Sequence, residues 1–122
     1  MKYDISTSDN NKYLRIFVNE AVTADLLNDF IGEAAKKSIE YEINKFLFDL
    51  RLSPNQADPS THYNFVYNRS KELGFKPVSK HALLVNSTDI NDYSFVETIL
   101  LNAGYRGKMF TDESDAIQWL EQ

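Results

Sequence analysis

Apolar and polar positions follow one another along this chain in two rhythms, a period near two and a period near 3.6, and each change of rhythm marks a new element. Tyr3 to Ser6 reads as a short strand. The polar stretch Ser8 to Asn11 reads as the turn of a hairpin leading into a second strand, Tyr13 to Val18, so the chain opens antiparallel. Thr23 is placed to N-cap a helix whose apolar positions Leu26, Leu27, Phe30, Ile31, Ala34 and Ala35 recur at helical spacing. Lys36 and Lys37 suit the negative end of that helix. Ile39, Tyr41 and Ile43 alternate with polar residues and fit either the tail of the helix or an early start of the next strand.

Phe46, Leu47, Phe48 and Leu50 form an almost unbroken apolar run, the pattern of a strand covered on both faces, and Ala82, Leu83, Leu84 and Val85 repeat it. Between them lies a loop with Pro54 and Pro59. A second helix follows from about Asp58 to Leu73, stopped by Gly74 with Phe75 placed to cap its last turn. Ser94 and Glu97 have capping-box spacing, and Phe95, Val96, Ile99, Leu100 and Ala103 make an apolar stripe that ends at Gly104. A short strand, Lys108 to Phe110, leads to Thr111 or Asp112 as the cap of a final helix, which Trp119 and Leu120 are expected to anchor. The order β-β-α-β-α-β-α-β-α predicts an α/β fold: a mixed, mostly parallel sheet of about five strands, with about four helices packed on it. Tyr13 to Val18, Lys45 to Leu50 and His81 to Val85 are expected to be its central strands.

The length of 122 residues predicts a single domain spanning residues 1–122. With 43% hydrophobic and 25% charged residues, and only 4 Gly and 3 Pro, the composition supports a real core and excludes disorder and low complexity. The net charge of −5 is spread over both halves. It leaves no basic patch to neutralise phosphates, so nucleic acid is not the expected partner. There is no cysteine, which removes disulfides, thiol nucleophiles and thiolate metal sites and suits a reducing cytoplasm. Met1 to Asn10 lacks the apolar stretch of a signal peptide, and no run approaches the roughly 20 apolar residues of a transmembrane helix. The chain is therefore expected to be cytoplasmic.

Catalytic and cofactor signatures are scarce. Gly32, Gly74, Gly104 and Gly107 form neither a phosphate-cradling loop nor a dinucleotide fingerprint. His62 and His81 have no second ligand at metal spacing, and no serine stands in a nucleophile elbow. Asp112, Glu113 and Asp115 at a helix start complement the macrodipole. The expectation is a protein with no metal, no cofactor and no enzymatic activity. Three features invite function, each beside a structural alternative. Tyr63, Phe65 and Tyr67 put three rings on one helix that cannot all face one core, so either one is exposed at an interface or pocket mouth, or the rings lie over the sheet edge. Asp49-Leu50-Arg51-Leu52-Ser53 ends a buried strand in polar residues at its carboxyl edge, where ligands bind in parallel sheets; Asp49 and Arg51 also suit local hydrogen bonds. Asp58-Pro59-Ser60-Thr61 opens the second helix, as an anion or phosphorylation site or simply as a cap.

The segment order, the strand end Phe46-Leu47-Phe48-Asp49-Leu50-Arg51, the strand Ala82-Leu83-Leu84-Val85 and above all Lys108-Met109-Phe110-Thr111-Asp112-Glu113 with Ala116-Ile117 and Trp119-Leu120 resemble the SpoIIAA-like, or STAS, superfamily. The likeness covers nearly the whole chain and is greatest to stand-alone STAS/SEC14-like domain proteins. It implies a SpoIIAA-like fold. Anti-sigma-factor antagonists of the superfamily are phosphorylated on a serine of an Asp-Ser-Ser-Gly motif opening the helix after the third strand. That maps onto Ser60, with Pro59 standing for a serine and Thr61 for the glycine. The resemblance thus implies a non-enzymatic regulatory module that binds a protein partner, with Ser60 as its phosphorylation site; the strand carboxyl edge and the helix N-terminus, expected to meet, make Arg51, Asp58, Ser60 and Thr61 the expected recognition surface. Its SEC14-like side implies the alternative, a lipid or other small amphipathic or anionic ligand. Partner identity and oligomeric state are not legible in the sequence.

Overall fold

Strand β1 (Tyr3–Thr7) runs antiparallel to β2 (Leu14–Val18), in a register from Tyr3 opposite Val18 to Thr7 opposite Leu14. The turn between them closes because the Ser8 hydroxyl accepts the N–H groups of Lys12 and Tyr13, while Asn11 takes a left-handed backbone with φ 56°. The computed structural model describes residues 2–122; Met1, the first residue of the expected domain, lies outside the described residues.

The other strands, β3 (Lys45–Asp49), β4 (Lys80–Leu84) and β5 (Arg106–Phe110), add in parallel, and the spatial order β1-β2-β3-β4-β5 is the order along the chain. That order has a consequence for the helices. Parallel crossovers are right-handed, so strands that always advance in one direction send every crossover helix to the same face. These helices are α1 (Ala24–Tyr41), the segment α2 (Pro59–Asn64), π-helical turn (Phe65–Arg69) and α3 (Ser70–Glu72), and α4 (Ile90–Asn102). They bury Leu14, Ile16, Val18, Phe46, Phe48, Leu83 and Val85. The last helix, α5 (Glu113–Glu121), follows the final strand and is free of that rule. It covers the opposite face, where Ala116 and Leu120 pack on Tyr13, Leu47, Ala82 and Leu84. β3 and β4 are therefore enclosed on both sides, as their continuous apolar runs predict.

Close approach on the crowded face depends on Gly107. A Cβ there would lie 2.8 Å from Leu100 Cβ, so only glycine lets α4 rest this near β5. Gly74, at φ +90°, ends α3 as expected, with the Phe75 N–H bonded to the Ser70 carbonyl.

Several boundaries differ from the sequence expectation. The alternation at Ile39 and Tyr41 belongs to the helix: both side chains are exposed on the last turn of α1, which ends at Glu42 in a left-handed conformation. Lys36 and Lys37 consequently sit short of the helix end. α4 starts at Ile90, after a short 3₁₀ turn (Ser87–Asp89) capped by the Asn86 side chain, so Ser94 lies inside the helix and caps nothing. Glu97 instead accepts the Met109 N–H at 2.6 Å, tying α4 to β5. Trp119 is half-buried against Phe110 and beneath the Lys80 ammonium, which also bonds the Trp119 carbonyl at 2.8 Å. Leu120, at 0% exposure, is the true anchor of α5.

Leu120→Ala is accordingly expected to cost about 2–5 kcal/mol of stability, and Trp119→Ala less than the ~3–5 kcal/mol of a fully enclosed ring. Urea unfolding of the two variants ranks them, and a Trp119 variant that is the more destabilised would contradict this packing.

Candidate functional site

The opening of α2 is held by one carboxylate oxygen. Asp58 Oδ1 accepts the Thr61 N–H at 3.0 Å, the Ser60 hydroxyl at 2.8 Å and the Thr61 hydroxyl at 2.9 Å. Hydrogen bonding from the Ser60 side chain, then from Thr61, holds the Asp58 carboxyl below its usual pKa. Pro59 at the first helical position has no N–H to lose there. From this start the helix presents two stripes. His62, Val66 and Ser70 are buried, while Ser60 and Tyr63 are exposed with Tyr67 half-buried beside them. Tyr63 and Tyr67 stack with ring centroids 4.4 Å apart, and Phe65 turns inward instead. Two of the three rings thus form a solvent-facing pair in line with Ser60.

Arg51 lies elsewhere. Its guanidinium donates to both oxygens of Asp49, at 2.9 and 2.8 Å, and to Glu113 at 2.9 Å. Arg15 reaches the same two carboxylates at 2.8 and 2.9 Å. This four-membered network joins β2, the end of β3 and the first turn of α5, on the face of the sheet opposite α2. Asp58, Ser60 and Thr61 are brought together; Arg51 makes no hydrogen bond with any of them among the described residues. Asp49 is 1% exposed. Burial pushes its carboxyl up, but hydrogen bonds from the Arg51 side chain and backbone and the charges of both arginines outweigh this, and its pKa is lowered overall. The sequence assigns Arg15 no role, and Glu113 only that of complementing the helix dipole. The available signal was Arg15 as the lone charge inside β2, on the side of the sheet that Asp49 also faces.

Beneath the buried stripe of α2 lies a cavity of about 90 Å³, bounded by β3 and β4 below and by α1 and the π-helical turn at its sides. Its wall is apolar apart from His62, Ser70, His81, Tyr93 and Tyr105. His62 Nε2 pairs with Asn55 Oδ1 at 2.9 Å and His81 Nε2 with the Ser79 hydroxyl at 2.7 Å. Burial drives the His62 imidazole down to about 4, against a weak opposing pull from Asp58, and the His81 imidazole down to about 3. Both are neutral at pH 7. His81 is also stacked on Phe46 at 5.1 Å, as an aromatic member of the core. Among the described residues no group of three or more His, Cys, Asp or Glu side chains is placed to hold a metal ion.

No family model matches the chain, and neither does any curated protein. Solved structures do. An anti-sigma factor antagonist from Mycobacterium paratuberculosis superposes with a TM-score of 0.64 at 7% identity, over 98% of this chain and 93% of that one. An uncharacterized protein of the DUF3478 family with a SpoIIAA-like fold, from Shewanella loihica PV-4, superposes with a TM-score of 0.59 at 17% identity, over 97% and 91%. The chain has a SpoIIAA-like fold. At these identities the likeness is one of fold. Within the SpoIIAA-like framework Ser60 opens the helix that follows the third strand, and no helix is long and apolar enough to cross a membrane.

Two predictions follow from the charges. Asp49→Ala leaves two guanidiniums facing one carboxylate and is expected to cost about 2–3 kcal/mol at neutral pH, below the range for a sealed pair because both arginines keep some solvent. The folded-state pKa of Asp49 lies below the ordinary 3.8, so its contribution is full above that value and fades as the pH falls further. The gap between variant and wild type in urea should close accordingly. The histidines act at higher pH. The unfolded chain takes up their protons near 6.5 and the folded chain only near 4 for His62 and 3 for His81, so stability falls as pH drops from 6.5 towards 4. His62→Gln should flatten that slope in a pH series of thermal unfolding.

Proposed function

We propose that this protein is a regulatory binding module of the STAS type, not an enzyme, working in the cytoplasm and recognising a protein partner through the exposed face of α2. The observation that carries the reading is the stacked Tyr63–Tyr67 pair in line with Ser60. Tyrosines offer large, rigid contact area with a polar tip, and they are enriched where proteins bind one another. Asp58, Ser60 and Thr61 form the polar end of this surface. Arg51, engaged by Asp49 and Glu113 across the sheet, is left out of it. The fold agrees with the reading, since one protein that shares it is an anti-sigma factor antagonist.

Ser60 supplies a means of control. Its hydroxyl donates to Asp58 Oδ1, and a phosphate there would remove that donor and set about −1.5 to −2 charges beside the carboxylate. Repulsion would loosen the cap and reshape the first turn of α2, next to the tyrosine pair. The partner surface would then be switched at its polar end.

Pull-downs from source-cell lysate, with wild type and variants compared side by side, test this. A specific protein captured by wild type and by Ser60→Ala should be lost with Tyr63→Ala/Tyr67→Ala and weakened at least tenfold with Ser60→Glu. If the double tyrosine variant and Ser60→Glu both keep the wild-type partner, the proposal fails.

A further inference from the structure

The cavity beneath α2 is too large and too one-sided in chemistry to be a packing flaw. Native interiors hold few voids bigger than a single water, and a water needs only about 10–15 Å³ of such space. Here about 90 Å³ stands open among Phe48, Leu83, Val66, Val96 and their neighbours. We propose that this cavity is a binding site for a small, neutral, mostly apolar molecule that carries one hydrogen-bond donor, of the size and polarity of a phenol. The inference is independent of the partner surface.

Charge decides the class. No Lys, Arg, Asp or Glu lines the cavity, so an anion or a cation would lose its hydration with nothing in return. Both lining imidazoles are neutral at pH 7, so they supply no countercharge either. The anionic ligand allowed by the sequence resemblance is thereby disfavoured. Apolar bulk is what the site rewards. An engineered core cavity of about 150 Å³ with a wholly apolar wall takes up benzene; this one is smaller, at about 90 Å³, but opens towards solvent, so its occupant is at most one small ring with its edge at the mouth.

The hydrogen-bond inventory then gives the occupant's polar end. Asn55 Oδ1 already accepts the Ala57 N–H at 3.1 Å, so it is the oxygen of that amide, and His62 Nε2 must be the donor to it. The second ring nitrogen, Nδ1, is then a bare acceptor with no partner in the chain among the described residues. Ser70 gives its only proton to the Val66 carbonyl at 2.6 Å, so the Tyr105 hydroxyl is the donor in their 2.7 Å contact and keeps its own lone pairs. The Tyr93 hydroxyl is spent on the Ser53 carbonyl. His62 and Tyr105 therefore each keep an acceptor, and His81, whose Nε2 meets the Ser79 hydroxyl, keeps a second ring nitrogen with no partner among the described residues. The π-helical turn contributes to both the wall and the way in: of the lining residues, Ile31 on α1 and Phe65 on the turn are the half-buried ones, which places the approach between those two elements. Such turns occur frequently at functional sites.

Titration of the full chain with phenol, followed by ¹H–¹⁵N correlation spectra, provides the test. Saturable shifts confined to His62, Phe65, Val66, His81, Tyr105 and their neighbours are expected, with toluene binding at least threefold more weakly and benzoate not at all. Tyr105→Phe should reduce the advantage of phenol over toluene. Val66→Phe and Leu83→Phe, which fill the cavity from opposite walls, should each raise the dissociation constant at least tenfold. Shifts that do not saturate or map to the surface, or benzoate binding as tightly as phenol, would overturn the proposal from the wild-type titrations alone. Unchanged affinity in a folded cavity-filled variant would overturn it as well. No partner enters this experiment, so its failure would leave the Ser60 face untouched.

Discussion

Two-sided burial of β3 and β4 is the constraint on which the rest of the molecule depends. Phe46, Leu47, Phe48, Ala82, Leu83 and Leu84 are all at 5% exposure or less, and no single layer of helices can hide side chains that point to opposite faces. The right-handed rule fills one face with α1, α2–α3 and α4. Only the segment after β5 is left to cover the other, and α5 does so with Ala116 and Leu120. A short C-terminal helix thereby becomes structural. Lys80, itself 3% exposed, secures its end by bonding the carbonyls of Trp119 and Gln122.

The same division separates two polar systems. On the α5 face, Arg15, Asp49, Arg51 and Glu113 close the gap where the helix begins, and every charge in the network has an opposite partner. On the other face, the polar groups around the cavity are neutral. The first arrangement holds elements together. The second leaves acceptors unspent, which is the chemical difference between a structural cluster and a site that can take a ligand.

α2 and its π-helical turn stand between the cavity and solvent. The stripe His62, Val66 and Ser70 looks inward, while Ser60, Tyr63 and Tyr67 look outward. A backbone change at the cap that Asp58 makes would be felt on both sides of one helix. Partner recognition and small-molecule binding are thus distinct proposals about opposite faces of the same element.

Most of the fold was legible in the chain itself. Continuous apolar runs, the Thr23 and Asp112 caps and the stops at Gly74 and Gly104 are local signals, and local signals survive folding because they are written in neighbouring residues. Asp58, Ser60 and Thr61 were legible as a group for the same reason. The start of α4 was not, because the Asn86 turn and the burial of Tyr93 outweigh a capping box at Ser94. Arg51 is expected beside Ser60 because a strand's carboxyl edge and a helix N-terminus should meet there, yet its charge is claimed by Asp49 beside it and Glu113, 62 residues away. The cavity, the register that places His62 and Tyr105 around it, and the choice of Phe65 rather than Tyr63 or Tyr67 to face it were decided only when three helices met one sheet. Sequence periodicity tells which side of an element is apolar; the space left between apolar sides depends on how their volumes fit, and that is a property of the packed structure alone.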